Sequence, residues 1–160
     1  MIKAILLLGN PSLYEVSEPV APQEAAAMRA VVADLHDTLF EFRRQYQAGR
    51  ALAAPQIAVQ KRLIYMHIDA PTVMINPALE PLGSEQMEVW DDCMSFPNLL
   101  VRVRRWRRCR LTFRDLDWQE HELSLEDDLS ELLQHEHDHL DGILATMRAI
   151  DNRSLKIRVI

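Results

Sequence analysis

One stretch constrains this chain more than any other. Leu125 to Leu140 reads as a helix whose last turns carry His135-Glu136-His137-Asp138-His139. Ser124, with Asp127 three residues on, fits a capping box, and Glu126, Asp127 and Asp128 load the first turn with negative charge that suits the positive end of the helix dipole. Gly142 supplies the residue that can close such a helix. His135 and His139 then stand one turn apart on one face, so their two imidazoles can bind one divalent metal. Glu136 lies about 100° round the helix from His135, near enough to act as a general base on water at that metal. His137 points about 200° away from His135 and is not read as a ligand. The plain alternative is a polar stretch of surface helix, because HExxH also arises by chance.

A second helix is predicted from Pro22 to about Tyr46, with Met28, Val31, Val32, Leu35, Leu39 and Phe42 on one face and Pro22 in the first turn. Arg62 to Ile68 reads as a strand. Val73 to Ile75 reads as another, ended by Asn76-Pro77, and Val101 to Phe113 as a third extended stretch, followed by a turn at Asp115 to Trp118. Helix, several strands and helix in that order suit an α+β domain, with antiparallel or mixed sheets around a central helix. The length of 160 residues matches a single domain over 1–160, on a usual size of ~100–200 residues.

Composition removes several function classes. Apolar residues make up 48% and charged residues 26%, an ordinary globular balance that argues against disorder. The net charge of −6 gives no reason to expect DNA or other nucleic acid as a partner. Four glycines, none clustered, exclude a P-loop and a dinucleotide fingerprint. The apolar run Ala4 to Leu8 is too short for a secretory core or a membrane span, so a cytoplasmic protein without a membrane partner is expected. In that compartment a disulfide between Cys93 and Cys109 is not expected.

A catalytic metal needs a third protein ligand and an open position. Cys93, in Asp91-Asp92-Cys93-Met94-Ser95, read as a loop before the long strand, is the natural candidate, with a buried structural thiol as the alternative. Cys109 alternates on an apolar strand face and reads as a core thiol. Gly49 to Gln56 offers small residues that let another backbone come close, plus the neutral amide donor of Gln56. By itself that segment carries little functional information.

Taken together, three segments resemble the peptide deformylases. That family carries GxGxAAxQ, EGCLS and QHExDH in this order, and here stand GRALAAPQ (49–56), DDCMS (91–95) and QHEHDH (134–139). The early helix, Ile75-Asn76-Pro77 and Leu140-Asp141-Gly142 are similar too, and the resemblance covers nearly the whole chain. It implies a peptide deformylase-like fold and a hydrolase that releases formate from a formylated peptide or small formyl-amide. Cys93, His135 and His139 would hold one divalent ion, Fe(II) with Zn or Ni possible; a thiolate and two imidazoles exclude Ca and Mg. Glu136 would take a proton from the acidified water and later protonate the departing amine. Gln56 and the backbone N–H of Met94 would stabilise the oxyanion. Arg50, Ala51, Leu52, Val89, Asp92, Asp128, Glu131 and Leu132 would bind substrate. Asp138 would support the ligands or pack the helix.

The chain also departs from the family pattern. Ala51 replaces the second glycine of the first motif, and Asp91-Asp92 replaces a glutamate and a glycine. Asp91 is expected to pair with Arg105, as a glutamate–arginine pair does in the family. Where the family lines an apolar pocket for a methionine side chain, this chain has Arg50, Asp128 and Glu131. Either these charges solvate the helix edge or pair with one another, or the substrate carries a polar or cationic side chain beside the formylated amine. Arg102, Arg104, Arg105, Arg107, Arg108 and Arg110 are read as a solvated strand face rather than an RNA contact. Arg153 to Ile160 is too short for the ribosome-docking helix of typical bacterial members, so no docking and an extended tail are expected. Two further classes stay open: an HExxH peptidase, and a non-catalytic descendant that keeps the metal.

Overall fold

The structure, a computed structural model, describes residues 1–159. Helix α1 spans Ala25–Tyr46 and is entered through a 3₁₀ turn at Pro22–Glu24, where the Glu24 carboxylate accepts the Ala21 N–H at 2.8 Å. Met28, Leu35 and Leu39 are buried on the predicted face. Strands β1 (Ala51–Ala53), β2 (Leu63–His67), β3 (Pro71–Pro81), β6 (Arg108–Arg114) and β7 (Glu120–Glu126) form a five-stranded sheet in the order β1-β2-β3-β6-β7. Strands β4 (Gln86–Cys93), β5 (Phe96–Trp106) and β8 (Leu155–Ile157) form a second sheet in the order β4-β5-β8. All strand pairs are antiparallel.

Strand alternation divides the core. Leu52, Leu63, Tyr65 and Ile75 face α1, whereas Ala51, Ala53, Ile64, Met66 and Met74 face the other way, toward Leu133 and Leu140. Those two leucines belong to helix α2, Asp127–Leu140. It contacts β1 and β7 of the larger sheet and β5 of the smaller, so the metal-ligand helix is central.

Four local predictions need correction. The stretch 101–113 is two strands in two sheets. The chain changes sheet at Arg107, whose N–H donates to Glu85 C=O at 3.0 Å and whose C=O accepts from Asp127 N–H at 2.9 Å. Strand β3 does not end at Asn76-Pro77. It continues through a bulge between Ile75 and Ala78, because Asn76 takes a left-handed φ of 50° and its side chain holds the Val20 N–H and C=O, each at 2.8 Å. Helix α2 starts two residues late, and Ser124 does not cap it. Ser124 pairs with Arg110 in β7, where Leu123 and Leu125 face the core, and the cap position, Glu126, makes no side-chain cap bond. The segment around Cys93 is the end of β4 and a tight turn at Met94–Ser95, not an open loop.

Gly142 closes α2 with φ of 70°, and a Cβ there would lie 2.4 Å from the Tyr14 carbonyl oxygen. Its N–H reaches His139 C=O at 3.2 Å, and the next N–H, of Ile143, reaches Asp138 C=O at 2.9 Å. The tail is extended, as expected: β8 pairs along β5 and carries Arg158 onward to Asn98, whose carbonyl accepts the Arg158 N–H at 2.8 Å.

Candidate metal centre and cleft

Helix α2 presents His135 and His139 from one face, and the β4–β5 hairpin brings Cys93 against them. His139 Nε2 lies 3.2 Å from His135 Nε2 and 3.3 Å from Cys93 Sγ, and the three donor atoms lie within 4.8 Å of one another, all buried. One thiolate and two imidazoles form a donor set suited to a zinc- or iron-type divalent ion, with room for a further ligand. The sulfur accepts from two donors, Gln56 Nε2 at 3.5 Å and the Ser95 N–H at 3.4 Å.

His135 is oriented from behind. Asp91 Oδ2 accepts its Nδ1–H at 2.9 Å, which leaves Nε2 facing the other donors. The same oxygen accepts Arg105 Nη2 at 2.7 Å, and Arg105 Nη1 reaches Asp138 Oδ2 at 2.6 Å. Asp138 in turn takes Arg148 Nε at 2.6 Å and Nη2 at 2.8 Å. Burial alone would raise the Asp91 carboxyl, but the charges and hydrogen bonds of His135 and Arg105 outweigh it and hold it down at about 2. Asp138 therefore anchors the arginine that holds Asp91. Arg105, 3% exposed, corrects the reading of the arginines as one solvated strand face. Several of the others are outward and paired: Arg102 with Asp151, Arg104 with Glu88, Arg107 with Glu85 and Asp127, and Arg110 with Glu80.

Glu136 is buried, and its Oε2 has no partner among the described residues. Burial pushes its carboxyl up to about 7, with Asp91 and Asp92 adding to the rise and His135 and Arg50 opposing it. Gln56 sits in the 3₁₀ turn Ala54–Ile57. Its Oε1 accepts the Ala53 N–H at 3.0 Å, which directs Nε2 toward Cys93 and toward Ser95 Oγ at 3.2 Å. Met94 follows Cys93 in the turn and buries its side chain beside Leu39 in the α1 core. His137 lies off this face, 3.6 Å from the Asp141 carboxylate. Cys109 is a buried free thiol in the second core cluster, raised by burial.

A cleft of about 820 Å³ opens over these groups, lined by Cys93, His135, Glu136 and Met94. Five of the eight expected substrate residues also line it: Arg50, Ala51, Asp92, Glu131 and Leu132. Three stand elsewhere. Leu52 points to the opposite face of β1, into the α1 core. Val89 packs with Val101 and Val103 in the small-sheet core. Asp128 is largely exposed and holds Arg50 Nη1 at 3.0 Å. Asp92 is exposed and paired with Arg158 from the tail. Glu131 is half-buried, and burial, then the charge of Asp91, pushes its carboxyl up to about 7 against the pull of Arg50.

Sequence reasoning missed Ser95, Phe42, Asn98 and Arg158. Arg158 and Asn98 reach the cleft through the pairing of β8 with β5, for which the expected extended tail was the only sequence signal. No helix among the described residues is long and apolar enough to cross a membrane.

Comparison with known proteins agrees with this geometry. Residues 2–154 match the family model described as polypeptide deformylase. The chain is 36% identical to peptide deformylase 1 of Prochlorococcus marinus over 165 residues, covering 96% of this chain and 83% of that one. It superposes on the crystal structure of peptide deformylase from Thermotoga maritima with a TM-score of 0.85 at 26% identity, covering 94% of this chain and 99% of that one. The peptide deformylase from Synechococcus elongatus, solved in complex with actinonin, gives a TM-score of 0.85 at 25% identity, covering 94% and 80%.

Proposed function

Since the chain belongs to the peptide deformylase family, hydrolases that remove the N-formyl group from peptides, we propose that it performs this reaction with Cys93, His135 and His139 as metal ligands and Glu136 as the acid–base group. The observation that carries the assignment is the convergence of those three donors within 4.8 Å at the floor of the cleft that also contains Glu136. We assign Fe(II) as the working ion, with Zn or Ni able to take the same ligands, because a thiolate and two imidazoles suit borderline metals. When bound, that ion supplies Lewis acidity toward water and the formyl carbonyl.

The chain's own groups do the rest. Glu136 takes a proton from the attacking water and delivers it to the departing amine nitrogen as the formyl C–N bond breaks. Its raised carboxyl is matched to both tasks near neutral pH. Gln56, fixed through Ala53, and the Met94 N–H beside Cys93 donate to the formyl oxygen as charge grows on it. Asp91 keeps His135 in the tautomer a ligand needs. Arg50, Ala51, Asp92, Glu131 and Leu132 form the substrate walls. Residues 1–160 act as one domain in the cytoplasm, on formylated peptides.

The test is formate release from metal-loaded protein and a formylated tripeptide, with Glu136→Ala as the control. Formate from the parent and a loss of about 10²–10⁴-fold in the variant supports the assignment. Internal cleavage of unformylated peptides would replace it with a peptidase. A loaded site without formate release would mean a non-catalytic metal protein.

A further inference from the structure

Charged groups crowd the cleft, and all but one of the acids facing it beyond the metal site have partners. Arg50 is held by Asp128 and Arg158 by Asp92. Glu131 lines the same cleft, is half-buried, and among the described residues makes no ion pair or hydrogen bond. It stands one helical turn before His135 on the same face of α2. A helical turn rises about 5.4 Å, so this carboxylate stands within a side chain's length of the place a formyl group at the metal ligands would occupy.

We propose that Glu131 is the specificity-determining residue of the cleft and selects formylated peptides whose first side chain ends in a cationic amine or guanidinium. This rests on the deformylase reading above. An apolar side chain would desolvate the carboxylate and give it nothing in return. A cationic one supplies the missing donor and the missing countercharge together, the stronger kind of hydrogen bond. Leu132, next in sequence, and Phe42, which lines the same cleft, offer apolar surface for the methylene stem of such a side chain.

The experiment compares formyl-Lys-Ala-Ala with formyl-Met-Ala-Ala on the metal-loaded parent and on Glu131→Leu. The expected result is a kcat/KM about tenfold higher for the lysine peptide with the parent, and a reversed preference with the variant. A parent that prefers methionine, or a ratio that Glu131→Leu leaves unchanged, overturns the proposal. Equal rates on the parent also overturn it, and would mean that Arg50 turns from Asp128 to Glu131. If neither peptide is turned over, the deformylase reading fails by itself. Specificity is then read by calorimetric binding of both peptides to Glu136→Ala: tighter binding of the lysine peptide supports the role of Glu131, and equal or weaker binding overturns it.

Discussion

Asp91 Oδ2 lies 2.9 Å from His135 Nδ1 and 2.7 Å from Arg105 Nη2, so one buried oxygen couples a metal-ligating imidazole to a buried guanidinium. The carboxylate fixes which ring nitrogen of His135 faces Cys93 and His139. Asp91→Asn keeps the shape but weakens that control. Zinc affinity, measured by competition with a chromogenic chelator, is expected to fall about 10–100-fold. Unchanged affinity would show that the ring is held by packing alone.

Arg105 is 3% exposed and sits between Asp91 and Asp138. Its removal leaves two buried carboxylates facing each other without their shared guanidinium, Asp91 held only by His135 and Asp138 only by Arg148. Arg105→Leu is therefore expected to cost about 3–5 kcal/mol in urea unfolding. The exposed Arg104, 3.6 Å from Glu88, is expected to cost no more than about 1 kcal/mol when changed to Leu.

Glu131 gives the fold a pH dependence of known sign. Its folded carboxyl titrates at about 7 against an ordinary 4.5, so the folded state holds the proton more tightly than the unfolded chain. The folded state therefore loses stability as pH rises from about 4.5 to about 7, and the loss is complete above that. Because the group is partly open to solvent, the effect is about 1 kcal/mol after screening. Glu131→Gln should match the parent at pH 5 and exceed its stability at pH 8 in urea titrations. Equal stability at both pH values would contradict the buried, unpaired carboxylate.

Gly142 carries two constraints at once. Its φ is 70°, and an added Cβ would meet the Tyr14 carbonyl oxygen at 2.4 Å and the Glu15 oxygen at 2.9 Å. Both neighbours are backbone, so they cannot simply rotate aside. Gly142→Ala is expected to destabilise by at least about 1–3 kcal/mol, as read by thermal unfolding. A neutral result would mean that the segment at Tyr14 shifts at little cost.

Helix α1 and the body of α2 were legible because their apolar residues recur at helical period. Strand β4 was not, because its outward positions, Glu88, Trp90 and Asp92, are exposed, while Asp91 and Cys93 take up inward places that an apolar pattern would have marked. The end of β7 was read as helix because Ser124 and Asp127 imitate a cap, while pairing with β6 decides the backbone. At the cleft, short motifs carried Gln56, Cys93, His135 and Glu136. Leu52 was misplaced because counting along a motif ignores the alternation of a strand. Arg158 reaches Asp92 only after the tail pairs with β5, a relation that no local pattern contains.

The role of Cys93, His135 and His139 is tested by titrating metal-free protein with Fe(II) under anaerobic conditions, and in parallel with Zn. Bound metal and formate release from formylated peptides are read on the same samples. Activity is expected to rise with bound metal and level off at one ion per chain, and Cys93→Ala to lose both together. Formate release that is independent of bound metal, or a filled site that releases none from any formylated peptide, would contradict it.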